Sequence, residues 1–352
     1  MRRWAPWGVA LALASAGCVR ASLGPRTIPI ARMDYNAALS RSWDEDLLLN
    51  LVRLRYRDSP LFVDVASVTS SYTLTRSASL GATVSDEPEL TGGVGLTFTE
   101  NPIISYTYLR GEEFAQRMLS PLAPGTLAEL SQSGWSFERL LLCCVQSING
   151  IENAIAAAGP TPDYVPVYET FQQVAALFRR LQIGGQVMAE RDGDNGTALT
   201  IRSSAGDDGA ELRRLLALDP AATRYDIVAA RHADGPMQIA LQGRSLLAVM
   251  FFLSQSVEAP AADREAGNVT STREASGALF DWSRVVGAIM HVRTGDAPAH
   301  QAAVQVAFRG HWFWIDDNDL TSKSTLALLR LLLFLKSGDI RSQSPLLTIP
   351  TR

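Results

Sequence analysis

The chain is poor in most of what would announce a chemistry. Only two of its 32 basic residues are lysines, Lys323 and Lys336, and the 36 acidic residues leave a formal charge of −4. Nucleic-acid binding demands a basic footprint, so nucleic acid is not an expected partner. Cysteine occurs three times, at Cys18, Cys143 and Cys144. Adjacent cysteines rarely bridge each other because the ring is strained. Cys143 and Cys144 therefore read as two small buried hydrophobes rather than a redox pair, and the fold must be held by its core. Two apolar runs, Leu246–Leu253 and Leu326–Leu335, fall well short of the ~20 residues of a membrane-spanning helix, and Arg330 interrupts the second. Catalytic signatures are missing too. There is no Gly-x-Ser-x-Gly elbow, no His-Glu-x-x-His, no phosphate loop and no nucleotide-binding glycine fingerprint. The four histidines, His232, His291, His300 and His311, have no i, i+4 ligand spacing among them. The expectation is a protein that is not an enzyme and that carries neither cofactor nor metal.

What is present begins at Met1–Cys18, MRRWAPWGVALALASAGC. Arg2 and Arg3 precede a short apolar run, Trp7–Ala14, and small residues lead into a cysteine, which is the layout of an export signal. Ser15-Ala16-Gly17-Cys18 resembles the lipobox of bacterial lipoproteins, with a serine where that family usually has leucine. The resemblance covers residues 1–18 alone. It implies cleavage between Gly17 and Cys18 and acylation of Cys18. It implies outer-membrane rather than inner-membrane placement, because Val19 stands where a retaining aspartate would. Several acyl chains, at ~0.8 kcal/mol per buried methylene, anchor stably where one would not. Loss of residues 1–17 would leave 335 residues with a formal charge of −6. That is enough chain for one large core or two ordinary ones.

The rest reads as α+β. Residues 18–30 form a lipidated tether. Residues 31–158 form a helical and β-hairpin region, 159–166 a proline-rich linker, 167–340 an α+β region and 341–352 a tail. Leu47, Leu48, Leu51 and Leu54 recur at helical spacing within a helix over Asp34–Arg57. From Val68 to Val84 the pattern alternates. Tyr72, Leu74, Ala78 and Leu80 fall on one face, and Thr73, Thr75, Ser77 and Ser79 on the other. A second run carries Val94, Leu96 and Phe98, and a third begins after Asn101-Pro102. Two or three long antiparallel strands follow. Helices are expected over Gly111–Leu119, Pro124–Ser133, Ser136–Ile148 (capped by Ser136), Val167–Leu181, Ala210–Leu218, Arg244–Val257 and Ser322–Lys336 (capped by Ser322). Strands are expected over Gln186–Arg191, Thr197–Arg202, Tyr225–Ala230, Met237–Leu241, Val285–Val292, Ala303–Phe308 and His311–Ile315. Ala259–Ser276 reads as an exposed loop. Asp192–Gly196 resembles a calcium loop only loosely, lacking the twelve-residue spacing and terminal glutamate.

Three features could carry function. His311 with Asp316, Asp317 and Asp319 could act as a base or ligate a metal, although aspartates ahead of a helix also serve its amide end. Trp312 and Trp314 share a strand face that is either core or an exposed recognition surface. The long hairpin, with Tyr72 and Leu74 on its apolar face, either packs on helices or a neighbouring subunit, or resembles an arm of an oligomeric outer-membrane pore. The composite expectation is a lipoprotein held by Cys18 on the periplasmic face of the outer membrane. It would serve as a non-enzymatic assembly or scaffolding component of a cell-envelope complex, with outer-membrane lipid, other envelope proteins or its own copies as partners. The alternatives are a pore or export-channel subunit that contributes the hairpin, and an envelope hydrolase built on His311.

Overall fold

The computed structural model describes residues 28–83, 89–108, 111–160, 162–193 and 196–337. Cys18, Gly17, Gly338 and the tail 341–352 lie outside them. The chain divides into two units, residues 1–43 and 44–352. The described part of the first is the opening of helix α1, Ile28–Arg55. The second holds the core. There α1 buries Leu47, Leu48, Leu51, Val52 and Leu54, the stripe its leucine spacing predicts. Asp44, on its wetter side, pairs with Arg330 at 3.0 Å.

Two strands follow, β1 (Val63–Thr83) and β2 (Glu89–Tyr108), antiparallel and paired from Val63↔Tyr108 to Thr83↔Glu89 with one register shift between Val65 and Ser67. They form a sheet of their own. The strand expected to start after Asn101-Pro102 is a continuation of β2, with Pro102 opposite Ser70. Pro102 has no N–H, so at that one position β2 can donate no ladder hydrogen bond.

Helices α2 (Glu112–Leu119), α3 (Pro124–Gln132) and α4 (Phe137–Cys144) come next. Ser136 caps α4 as expected, its hydroxyl accepting from the Arg139 amide. The helix ends earlier than its apolar run suggests, and Val145–Ile148 becomes strand β3, followed by β4, Ile151–Glu152. Beyond Gly159–Pro166 come α5 (Glu169–Ile183), the hairpin β5 (Val187–Asp192) and β6 (Gly196–Ile201), α6 (Gly206–Leu215), β7 (Arg224–Val228) and β8 (Gln238–Gly243). These build a six-stranded sheet in the order β4-β3-β8-β7-β6-β5, antiparallel except for the parallel β7–β8 pair. Buried residues on both sides of Gly159–Pro166, Ala157 and Tyr168 among them, belong to one apolar cluster.

Helix α7 (Leu246–Ser254) is apolar on nearly every face, LLAVMFFLS, and such a helix has to be surrounded. Leu246, Val249, Met250, Phe252 and Leu253 are fully buried. Gly243, just ahead of it, pairs with Val145, and a Cβ there would lie 2.1 Å from the Leu122 carbonyl oxygen. Backbone cannot yield as a flexible side chain can. Gly243→Ala is therefore expected to cost on the order of 3 kcal/mol, read by denaturant unfolding.

The stretch expected to be an exposed loop contains helix α8, Ala261–Glu265, and buries Val269 and Thr272. The strand expected over Val285–Val292 is instead helix α9, Ser283–Val286, and a following turn. Val285, Val286, Ile289 and Met290 are all buried, and that spacing is helical, not alternating. The strand proper is β9, Arg293–Gly295, in a three-stranded sheet with β10 (Ala302–Phe308) and β11 (His311–Asp316), ordered β10-β11-β9. Helix α10, Leu320–Ser337, closes the described chain. Its cap is Asp319 rather than Ser322, because the Asp319 carboxylate accepts from the Ser322 amide three residues on, at 3.0 Å.

Candidate functional site

The histidine and aspartates flagged in the sequence do not converge. His311 opens β11 and Asp316 closes it, about 16 Å apart at ~3.3 Å per residue. His311 Nδ1 lies 3.0 Å from Asp296 instead. Asp316 accepts from Trp314 Nε1 at 2.8 Å and pairs with Arg293 at 2.7 Å. Asp317 pairs with Lys323, and Asp319 caps α10. Each carboxylate thus has a local partner. Among the described residues no three His, Cys, Asp or Glu side chains are grouped so as to hold a metal.

Trp312 and Trp314 do share a face of β11, but the core face is the other one, with Phe313 and Ile315 fully buried. The two indoles are half-buried. The Trp314 ring lies over Gly295 of β9, where a Cβ would sit 3.1 Å from it. Tyr72 and Leu74 lie in β1, in register with Glu100 and Phe98. Cys143 and Cys144 are free thiols and fully buried.

Two arginines that sequence reading passed over prove central. Arg244, between β8 and α7, is fully buried and forms no ion pair among the described residues. It closes the C-terminal end of α4. Nη1 donates to the carbonyls of Leu142 (2.9 Å) and Cys143 (3.1 Å), and Nη2 donates to the Asn153 carbonyl. The guanidinium stacks 3.9 Å from the Phe252 ring centre. The last carbonyls of a helix lack internal partners and carry the negative end of its dipole, so a cation there satisfies both. Burial pushes this guanidinium down to about 10, which leaves it charged at neutral pH.

Arg55, the last residue of α1, stands on a cavity of about 750 Å³. The walls come from 255–259 after α7, Arg264 of α8, 270–272, 279–283 and the turn that ends at His291. Three oxygens hold the guanidinium: Val257 carbonyl (3.3 Å), Gln255 Oε1 (3.2 Å) and Thr270 carbonyl (3.1 Å). Burial, with a lesser push from the nearby Arg264 and Tyr56 opposing, brings it to about 10. One wall is pinned by main chain, with Glu258 N donating to the Val292 carbonyl and Val292 N to that of Ser256. His291 Nε2 lies 2.7 Å from Glu258 Oε1. Trp282 Nε1 donates to Thr272 Oγ1, which donates to the Pro162 carbonyl. This is a site of the size that small ligands occupy, fixed on several sides. Its best sequence signal was the mixture of aromatics and hydroxyls over 270–282, which is more apolar than a solvated loop needs.

Beside it the Tyr56 hydroxyl donates to Asp263 Oδ2 at 2.6 Å. That bond, with a second from the Asn268 amide, holds the Asp263 carboxyl below its ordinary range. A carboxyl depressed in the fold adds stability above its unfolded pKa, and that stability is lost as pH falls through the folded value. Tyr56→Phe is thus expected to cost about 1 kcal/mol near neutral pH. The difference from wild type should shrink as the pH drops below about 4, as urea unfolding at a series of pH values would show.

Comparison of the chain with family models, with curated proteins and with solved structures finds no match.

Proposed function

We propose that this chain is a lipid-anchored, non-enzymatic assembly component of the cell envelope, held through Cys18 at the outer membrane and joined to its complex through the β1–β2 hairpin. The hairpin carries the reading. It pairs 20 positions of one strand with the next and has no third strand among the described residues. At ~3.3 Å per residue it is roughly 65 Å long, several times an ordinary strand. Fixing a residue costs about 1–2 kcal/mol in backbone entropy, and a ribbon solvated on both faces recovers little of it. An isolated two-stranded hairpin is marginal in water, and its outer edges are templates for further pairing. The natural resolution is more strands from further copies or from a partner.

The register sorts most of the ribbon into two faces, with Arg76 and Glu100 as charged exceptions on the apolar one. Leu74↔Phe98, Ala78↔Val94 and Ala82↔Leu90 alternate with Thr73↔Thr99 and Thr75↔Thr97. Ser77 and Thr97, on the hydroxylated face, are exposed. That sorting favours a second reading, in which the shared sheet is the wall of an oligomeric pore with lipid on one face and water on the other. Strands of this length exceed the ~9–11 residues that cross a bilayer, so part of each would extend beyond it. Among the described residues no helix is long and apolar enough to cross a membrane.

The test is to replace residues 66–105 with a short turn and weigh the detergent-extracted protein by light scattering. The full chain is expected to run as an oligomer and the shortened chain as a monomer, with thermal unfolding of the body little changed. A monomeric full chain would overturn the reading. Stepwise conductance in planar bilayers, lost on shortening, would single out the pore.

A further inference from the structure

We infer that the Arg55 cavity binds an anion carrying an apolar body, with the guanidinium groups of Arg55 and Arg264 receiving the charged head. The case rests on which polar groups lining the cavity already have partners. Arg55 spends Nε and Nη1 on three neutral oxygens, while Nη2 forms no hydrogen bond and the side chain no ion pair among the described residues. Those three bonds come from three separate positions, 255, 257 and 270, so they fix the fork in space without neutralising it. Arg264 also forms neither an ion pair nor a side-chain hydrogen bond among the described residues. Arg55 and Arg264 line the same cavity and repel each other, a cost that an anion between them removes.

The acids facing the cavity are engaged. Glu258 faces His291 and accepts from the Thr294 amide at 3.3 Å, and Asp281 accepts from the Ser283 amide at 2.9 Å. Neither competes for the arginines. A planar guanidinium with free N–H groups matches carboxylate or phosphate oxygens in pairs. The rest of the cavity fits a body. Its volume far exceeds a bare phosphate, and Leu279, Phe280, Trp282, Val286 and Met290 supply apolar surface. Polar and apolar groups line it in comparable measure, so a charged head and an apolar body each meet matching surface. A cationic or neutral amphiphile would leave the arginines uncompensated, so the sign of the charge is the discriminating property.

The experiment is isothermal titration calorimetry on the full chain. Four probes are used below any micelle-forming concentration: octyl phosphate, phenyl phosphate, inorganic phosphate and octyltrimethylammonium. Octyl or phenyl phosphate should bind saturably at one site per chain, more tightly than inorganic phosphate, and octyltrimethylammonium should give no saturable heat. Preference for octyl over phenyl would point to a lipid-like ligand, and the reverse to a small aromatic anion. A charge-assisted hydrogen bond contributes about 1.5–3 kcal/mol, so Arg264→Gln should weaken binding about tenfold or more. Arg264 is exposed, so this variant should fold normally. Arg55→Lys, which keeps the charge and loses the fork, should weaken it as well. Failure of both phosphates to bind, equal binding of the cationic amphiphile or of inorganic phosphate, or unchanged affinity in Arg264→Gln would each overturn the assignment.

Discussion

Replacing Cys18 with alanine is expected to move nearly all of the protein from the membrane fraction to the soluble fraction, and to abolish incorporation of radiolabelled palmitate. The size of the effect follows from the proposed anchor. One acyl chain binds a bilayer only reversibly. At ~0.8 kcal/mol per buried methylene, each further chain adds on the order of 10 kcal/mol. No helix among the described residues could replace it. The other two cysteines are fully buried and cannot substitute as acyl sites without unfolding. A Cys18→Ala protein that still sediments with membranes and resists a carbonate wash would contradict the tether. The hold would then lie with the hairpin, as the pore reading requires.

Replacing Arg244 with methionine is expected to destabilise the fold by about 3–5 kcal/mol, enough to lower the unfolding midpoint by many degrees. A buried charge is costly in itself, and an apolar replacement sometimes relieves that cost. Here the relief is outweighed, because the guanidinium bonds carbonyls of three residues, Leu142, Cys143 and Asn153. Leu142 keeps a donor in Asn153 Nδ2, at 2.9 Å. Cys143 and Asn153 lose a charged one inside a dry core, at roughly 1–3 kcal/mol for each group left unsatisfied. Stacking on Phe252 goes too. Arg244→Lys should recover part of the loss, since an ammonium supplies donors but not a fork. Equal stability of wild type and the methionine variant in urea would show that desolvation dominates.

Most of this architecture is legible in hydrophobic spacing. The leucines of α1, the alternation of β1, the Ser136 cap and the hairpin of β10 and β11 all follow from local pattern. The misreadings have local causes as well. Leu140–Val145 is apolar throughout, and a continuous apolar run cannot itself show where helix gives way to a buried strand, here at Val145. Val285, Val286, Ile289 and Met290 fit helical spacing better than alternation. The β-branched residues of that run, which favour strands, hid the period. The cavity was invisible for a different reason. Arg55, Gln255, Arg264 and Thr270 are brought together by contacts over some 200 residues of chain, and one sequence carries no record of such pairing. Arg244 looked like the first residue of a helix, because nothing local distinguishes a buried arginine from a solvated one.

The most direct measurement is amide hydrogen exchange along the hairpin, residue by residue, in the full-length protein extracted in mild detergent. In an isolated antiparallel ribbon only alternate amides face the partner strand, and those between them point outward and exchange quickly. If the hairpin is shared in a larger sheet, the outward amides of Val63–Thr83 and Glu89–Tyr108 should be protected as well, giving slow exchange along both strands at every position but Pro102, which has no amide. Alternating slow and fast exchange in the full-length protein would mean that the ribbon stands alone and that no assembly forms through it.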